Sequence, residues 1–192
     1  ILPVGKFAYI IKKLLNIDYY IFIHGLDIKL AQNKTIKKFI TKIILDNAKT
    51  IFANSESTKS IIKTKTNIKI VYPGVNESFK NIDENKKLEI TKKYNLEGKK
   101  IILTVGRVIK RKNHEFIIKA VNELKNEFEN LIYLIVGTGD NLEYLKNSTQ
   151  DNKNIIFLGG VNDEELPYLY SVCDIFTMIS HETKNDTEGF GI

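Results

Sequence analysis

The sequence predicts an α/β protein built on parallel sheets, and three observations carry that prediction. Short apolar runs recur at 19–23, 50–53, 68–72, 100–105, 131–136, 154–158 and 174–179. Helix-compatible segments separate most of them, and strand–helix alternation is the pattern of βαβ crossovers. Glycine turns follow the later runs in order: Val105-Gly106-Arg107, Val136-Gly137-Thr138-Gly139, Leu158-Gly159-Gly160-Val161 and, after a polar loop, Glu188-Gly189-Phe190-Gly191-Ile192. Open α/β sheets bind ligands outside the carboxyl ends of their strands, which is where such turns lie.

Taken along the chain, Tyr19 to Ile23 reads as a buried strand closed by His24-Gly25. From Ile36, apolar residues at 36, 39, 40, 43 and 44 alternate with Lys34, Lys37, Lys38 and Lys42, an amphipathic helix. Thr50 to Ala53 is a short strand, and Asn54, Ser55 and Ser57 offer N-caps for a helix to about Lys63. Ile68 to Tyr72 is a further strand, stopped by the Pro73-Gly74 turn signal. Residues 75–87 are polar and read as a linker, which divides the chain into domains 1–80 and 81–192. A helix is predicted over 87–94, then a strand over 100–105. The helix at 113–128 carries Phe116, Ile117, Ala120, Val121, Leu124 and Phe128 on one face. Strand 131–136, helix 140–147, strand 154–158, helix 163–171 and strand 174–179 complete the series. Near-continuous apolar strands suit a parallel sheet covered on both faces.

A hydrophobic content of 43% and a charged content of 27% are those of a globular protein. No run of about 18 apolar residues predicts a membrane-spanning helix. Residue 1 is Ile and no signal-peptide pattern follows, so the chain is expected to be an interior piece of a longer one. The single cysteine, Cys173, excludes an internal disulfide framework, fits a reducing compartment and reads as a buried small hydrophobe. Residues 1–80 hold 14 Lys against 5 acids, a net +9, while residues 81–192 hold 15 Lys or Arg against 18 acids, a net −3. Such a split suits two units facing different partners; the plainer reading is lysine solvating helix surfaces. His114 and His181 have no partners at metal-ligand spacing, and neither a zinc pattern nor a Walker motif is present.

The motifs point to a phosphorylated ligand. In 105–114, Gly106 lets the chain turn, and Arg107 and Lys112 bracket a loop ahead of a helix N-terminus, a setting suited to a diphosphate. Taken in isolation, Lys110, Arg111 and Lys112 read as a solvated basic loop. The 136–140 turn lacks the third glycine of a dinucleotide fingerprint, because Leu142 stands there, and reads as a tight strand–helix turn. In 158–166, Asn162 or Asp163 can cap a helix, and the Gly160–Val161 backbone can read a base edge. Glu188 ahead of glycines can accept from sugar hydroxyls while the following amides meet phosphate. His24 reads equally as a ligand contact and as a strand-end histidine.

As an ordered set, these pieces resemble the retaining glycosyltransferases of the GT-B fold, family 4. The matching segments are 23–27 (Ile23-His24-Gly25-Leu26-Asp27), 53–59, 71–76, 105–112, 135–140, 157–166 and 188–191. The resemblance implies two Rossmann-like domains with parallel sheets, facing a cleft and both incomplete in this chain. Residues 1–80 would be the later part of the acceptor-side domain, and 81–192 the first part of the nucleotide-sugar domain. It implies transfer of a sugar from a nucleoside-diphosphate donor to a glycan or lipid-linked acceptor with retention. Glu188 and His24 would stand in the catalytic site. Gly106, Arg107, Lys112, Val161, Gly189, Phe190, Gly191 and Ile192 would bind the donor. Arg107 and Lys112 would hold the diphosphate, Val161 would meet the base through its backbone, and Gly189 to Ile192 would offer amides. No metal, cofactor or nucleic acid is implied. The expected location is cytoplasmic, with peripheral contact to the inner membrane face through the basic half. Asn113 stands where the family often has glycine. The second acid of the family's E-x7-E motif would fall past Ile192, and the early glycine-rich loop has no match, so these 192 residues alone are expected to be inactive. A GT-B nucleotide-sugar epimerase is the alternative within the fold. A dehydrogenase or non-catalytic nucleotide-binding module, resting on Gly137 and Gly139, is the alternative outside it.

Overall fold

The computed structural model describes residues 1–32 and 35–181. These form two units, Ile1–Gly74 and Val75–His181. The division falls at the Pro73-Gly74 turn rather than near residue 80.

The first unit runs α1 (Leu2–Leu15), β1 (Tyr20–Ile23), α2 (Leu26–Gln32), α3 (Thr35–Asp46), β2 (Thr50–Ala53), α4 (Glu56–Ser60) and β3 (Ile68–Ile70). Its three strands form a parallel sheet in the order β1-β2-β3. α1 and α2 are additions to the predicted elements. Pro3 and Gly5 obscure α1 in the sequence, yet proline in the first turn gives up an N–H that has no helical partner anyway. Gly5 lets the helix approach α3, since a Cβ there would stand 2.9 Å from Ile44 Cγ2. Asn16, in the left-handed region (φ 55, ψ 30), closes α1 by donating its N–H to Lys12 C=O. Ser55 caps α4 as expected, accepting from Thr58 N at 3.0 Å, but the helix stops at Ser60.

Ile23, Ile51 and Ala53 point to one side of this sheet and pack with Ile28, Leu45, Ala48 and Ile62. The other side departs from the expectation of strands buried on both faces. Tyr20 and Phe22 are exposed and stack with Phe52, at 6.3 and 4.7 Å between ring centroids.

The second unit runs α5 (Glu84–Lys93), β4 (Lys100–Val105), α6 (His114–Leu124), β5 (Leu131–Val136), α7 (Leu142–Ser148), β6 (Ile155–Gly159), α8 (Leu166–Val172) and β7 (Ile175–Phe176), with 3-10 turns at Glu77–Phe79 and Lys110–Lys112. β4 and β5 have the predicted bounds. The expected linker carries structure: Asn76 caps the first 3-10 turn, and Asp83 caps α5 by accepting from Asn85 N and Lys86 N at 2.9 and 3.1 Å. α8 begins at Leu166 rather than 163, with Pro167 in its first turn. Glu165 there pairs with Lys93 at 2.6 Å and accepts from the Tyr94 hydroxyl.

All strands of this unit are parallel, in the order β6-β5-β4-β7. β5 is buried along its whole length. Tyr133 and Ile135 pack with Val121 and Leu145 of α6 and α7; Ile132, Leu134 and Val136 pack with Ile90 and Leu169 of α5 and α8. Helices therefore cover both faces, a doubly wound sheet. Fully burying one such Leu or Ile contributes roughly 1.5–3 kcal/mol, so β5 anchors the unit. The chain moves outward from β4 to β5 and β6, then returns to β7 on the other side of β4. The carboxyl ends of β4 and β7 form the topological switch point, where sheets of this kind take ligands.

The loop after β4 is locked to the loop after β5. Gly106 N donates to Val136 O at 2.9 Å, Val108 N to Thr138 O at 2.8 Å and Asn141 N to Val108 O at 3.0 Å. A Cβ on Gly137 would lie 1.9 Å from Gly106 O, and one on Gly139 would lie 2.4 Å from Val108 O. Gly137 also sits at φ 134, a region glycine alone enters readily. The two glycines thus serve close backbone packing. We predict that Gly137→Ala lowers unfolding free energy in urea by about 2–4 kcal/mol, as strain and overpacking combine. Gly160→Ala, where a Cβ meets nothing within 4 Å, should stay within about 0.5 kcal/mol of the parent.

Candidate functional site

At Val105 the chain leaves the sheet and turns toward α6. Gly106 makes the turn at φ 150. A Cβ there would stand 3.9 Å from Lys112 Cε, so the lysine stem passes over this glycine. Arg107 is exposed, and Val108 is fully buried in the lock just described. The tight turn Lys110–Lys112 follows, then Asn113 in the left-handed region (φ 51, ψ 40). Asparagine enters that region more readily than most residues, which accounts for its standing at a position where glycine is common in the resembled family.

The basic run is not the solvated loop that it suggests in isolation. Arg111 and Lys112 are only 6% and 7% exposed. Lys112 Nζ donates to Met178 Sδ at 3.0 Å, and His181 N donates to Arg111 C=O at 3.1 Å. Both contacts join the β4–α6 loop to the segment after β7, so the lysine charge is held at the switch point. An ammonium withdrawn this far from water interacts strongly with an anionic ligand oxygen. α6 begins at His114 and directs the positive end of its dipole to the same place. A pocket of about 440 Å³, lined in part by Lys110, Asn113, Asn141, Tyr144 and His181, adjoins the turn.

His24 follows the first unit's β1 directly and is exposed. Its neighbour Asp27 has a part that the sequence did not disclose. One carboxylate oxygen, Oδ1, accepts from the backbone N–H of His24, Gly25 and Ile28 at 3.2, 3.0 and 3.0 Å. The signal was an Asp three residues past a strand-end histidine, in the first turn of a helix, where an acid favours the positive end of the dipole. Gly25 turns at φ 107 within this nest. Val161 follows β6, and its half-buried side chain packs on the cluster that includes Leu103 and Val136. Glu188, Gly189, Phe190, Gly191 and Ile192 lie outside the described residues. Among the described residues no group of three or more His, Cys, Asp or Glu could hold a metal ion, and no helix is long and apolar enough to cross a membrane.

A family model described as glycosyl transferases group 1 matches residues 86–192, more than half of the chain. The chain belongs to this family. The matched glycosyl transferase segment contains the whole β4–α6 loop and everything after it. The chain is 28% identical over 125 residues to a GDP-mannose-dependent alpha-(1-6)-phosphatidylinositol monomannoside mannosyltransferase of Mycolicibacterium smegmatis, covering 62% of this chain and 33% of that protein. It is 32% identical over 153 residues to an uncharacterized glycosyltransferase of Methanocaldococcus jannaschii, covering 76% of this chain and 38% of that protein. The chain thus spans about a third of the length of such curated relatives. Among solved structures, sucrose-phosphate synthase from Thermosynechococcus elongatus superposes with a TM-score of 0.74 at 20% identity, over 98% of this chain and 49% of that one. Anabaena HepE in complex with UDP and glucose superposes with a TM-score of 0.70 at 15% identity, over 92% and 50%. These likenesses establish a GT-B type α/β fold with Rossmann-like parallel sheets.

The geometry around His24 makes a direct prediction. Asp27→Ala leaves three amides without their shared acceptor, and each charged hydrogen bond contributes about 1.5–3 kcal/mol. Amide hydrogen exchange at His24, Gly25 and Ile28 should accelerate together, while exchange in β4 and β5 stays unchanged.

Proposed function

We propose that the protein is a glycosyltransferase that moves a sugar from a nucleoside-diphosphate donor to a hydroxyl acceptor with retention of configuration. The observation that carries this reading is the buried Lys112 ammonium at the β4–β7 switch point, beside the exposed Arg107, in a chain of this family. The guanidinium and the ammonium hold the donor diphosphate. As the bond from the sugar C1 to the phosphate oxygen breaks, the nucleoside diphosphate leaves with the electron pair, and the two cations offset the growing negative charge. The acceptor oxygen bonds to C1 on the face from which the diphosphate departs, and its proton passes to the leaving phosphate oxygen. The guanidinium and the ammonium supply the charge that a metal ion supplies elsewhere, so the proposal includes no metal or cofactor.

The remaining roles follow the family resemblance. Glu188 contacts the donor sugar, and Gly189, Phe190, Gly191 and Ile192 offer amides to sugar and phosphate. The Val161 backbone meets the base, and His24 acts on the transferred sugar. We assign the unit Ile1–Gly74 to the acceptor side and the unit that begins at Val75 to the donor side. The related mannosyltransferase is named for a GDP-mannose donor and a lipid-linked acceptor, and HepE was solved with UDP, which supports a nucleotide-sugar donor and a saccharide or lipid-linked acceptor. The net +9 of residues 1–80 supports a cytoplasmic enzyme working at an anionic membrane face, each surface Lys adding about 1 kcal/mol there.

The test is a transfer assay with the full protein and a panel of nucleotide sugars, with the product anomer read by NMR. We expect one donor to be used, with its anomeric configuration kept. Arg107→Ala and Lys112→Ala should each reduce kcat/KM about tenfold to a hundredfold. Inversion at the anomeric carbon overturns the retaining assignment, and unchanged kinetics in both variants removes these residues from the site.

A further inference from the structure

Beneath the β4–α6 loop three buried polar side chains form a chain across the sheet. Thr104 is 1% exposed, Tyr133 0% and His114 1%. Thr104 Oγ1 lies 2.7 Å from Thr177 O, Tyr133 Oη 2.9 Å from Thr104 Oγ1, and His114 Nδ1 2.8 Å from Tyr133 Oη. The direction of every bond follows from proton counting. A carbonyl only accepts, so the Thr104 hydroxyl must donate to Thr177. That hydroxyl has no second proton, so Tyr133 must donate to Thr104. Tyr133 in turn has no proton left, so His114 must donate through Nδ1–H. Burial raises the Tyr133 pKa and keeps its hydroxyl protonated. Burial also lowers the His114 pKa; the Arg107 backbone opposes this, and the Lys112 charge adds to the lowering. A neutral imidazole with its proton on Nδ1 has a bare lone pair at Nε2, and Nε2 is buried with no hydrogen-bond partner among the described residues.

The chain begins and ends beside the Lys112 contact. His114 is two residues past Lys112, joined to it through the left-handed Asn113. Thr177 immediately precedes Met178, the residue whose sulfur receives the Lys112 ammonium. Thr177 N is itself pinned to Leu103 O at 2.8 Å. Phe at 133 and Val at 104 would fill nearly the same space in the sheet without burying any hydroxyl. A buried polar chain that excludes alternative arrangements sets geometry more than it adds stability.

We propose that Thr104, Tyr133 and His114 are positioning residues, a one-directional hydrogen-bond relay that holds Lys112 in register with the segment after β7 so that its ammonium meets the donor diphosphate. This rests on the donor site proposed above. The relay fixes His114 as its Nδ1–H tautomer, and it requires a hydroxyl at 104 rather than any side chain of that size.

Two measurements on the full protein test it. Long-range 1H–15N spectra should report His114 protonated at Nδ1. Titration with UDP and with GDP should find the tighter of the two bound about tenfold more weakly by Thr104→Val and close to normally by Thr104→Ser. A packing role orders the variants the other way, because Val keeps the volume and Ser loses the methyl group. An Nε2–H tautomer in the unaltered protein, or normal binding by Val with loss in Ser, overturns the relay. If neither nucleotide binds the unaltered protein, the donor assignment falls and the relay's role toward the diphosphate falls with it; an Nδ1–H signal in that case still confirms the relay's direction.

Discussion

A backbone-to-backbone lock between Gly106–Val108 and Gly137–Gly139 is the constraint on which the carboxyl edge of the second unit's sheet depends. The loops approach so closely that a carbonyl of one occupies the space of a side chain on the other. Four amides in this region donate across the loops rather than to water: Gly106, Val108, Gly137 and Asn141. Satisfying buried amides in this way lets irregular backbone sit at the top of a buried strand without an unpaired-group penalty. The result is a rigid platform from which Arg107 points outward while the chain doubles back to bury Lys112. Loops that carry ligands usually gain precision from the scaffold beneath them, and here the scaffold is the fully buried β5.

The same logic explains why the charged site stands at β4 and β7 rather than elsewhere along the sheet. Every strand end carries a turn, but the chain reverses its direction of travel across the sheet between β6 and β7 alone. At such a reversal the neighbouring loops run to opposite faces of the sheet, which is where sheets of this kind leave a crevice. The Lys112–Met178 and Arg111–His181 contacts line it. The first unit shows a simpler economy: one side of its sheet is packed with Ile23, Ile51 and Ala53, and the other presents the stacked Tyr20, Phe22 and Phe52.

Much of this was legible in the sequence, and the exceptions have physical causes. β4 and β5 were readable to the residue because each largely apolar run stops at a glycine, Gly106 and Gly137. The order of motifs was enough to name a glycosyltransferase resemblance, and the match to glycosyl transferases group 1 agrees at that level. α1 was hidden because proline and glycine near a helix start act as starters and packers there, not as breakers. The burial of Arg111 and Lys112 was not readable from their own neighbourhood, since it arises from a segment about 70 residues later folding over them. The relay was equally silent. Its members lie on three elements, and a threonine and a tyrosine inside apolar strands gain meaning only once strand register brings them together. Asp27 was visible as a motif member, but its triple acceptance depends on the turn geometry. The glycines at 137 and 139 were readable as a turn, and the reason for them, a neighbouring carbonyl, was not.

The central claim is that the β4–α6 loop seats a diphosphate between Arg107 and Lys112. A crystal structure of the full protein with a nucleoside diphosphate tests it most directly. The account predicts diphosphate oxygens within hydrogen-bond distance of the Arg107 guanidinium and of Lys112 Nζ, with the ammonium turned from the Met178 sulfur toward the phosphate and the loop backbone unmoved. A nucleotide bound with its diphosphate away from both side chains, Lys112 still resting on Met178, would contradict it.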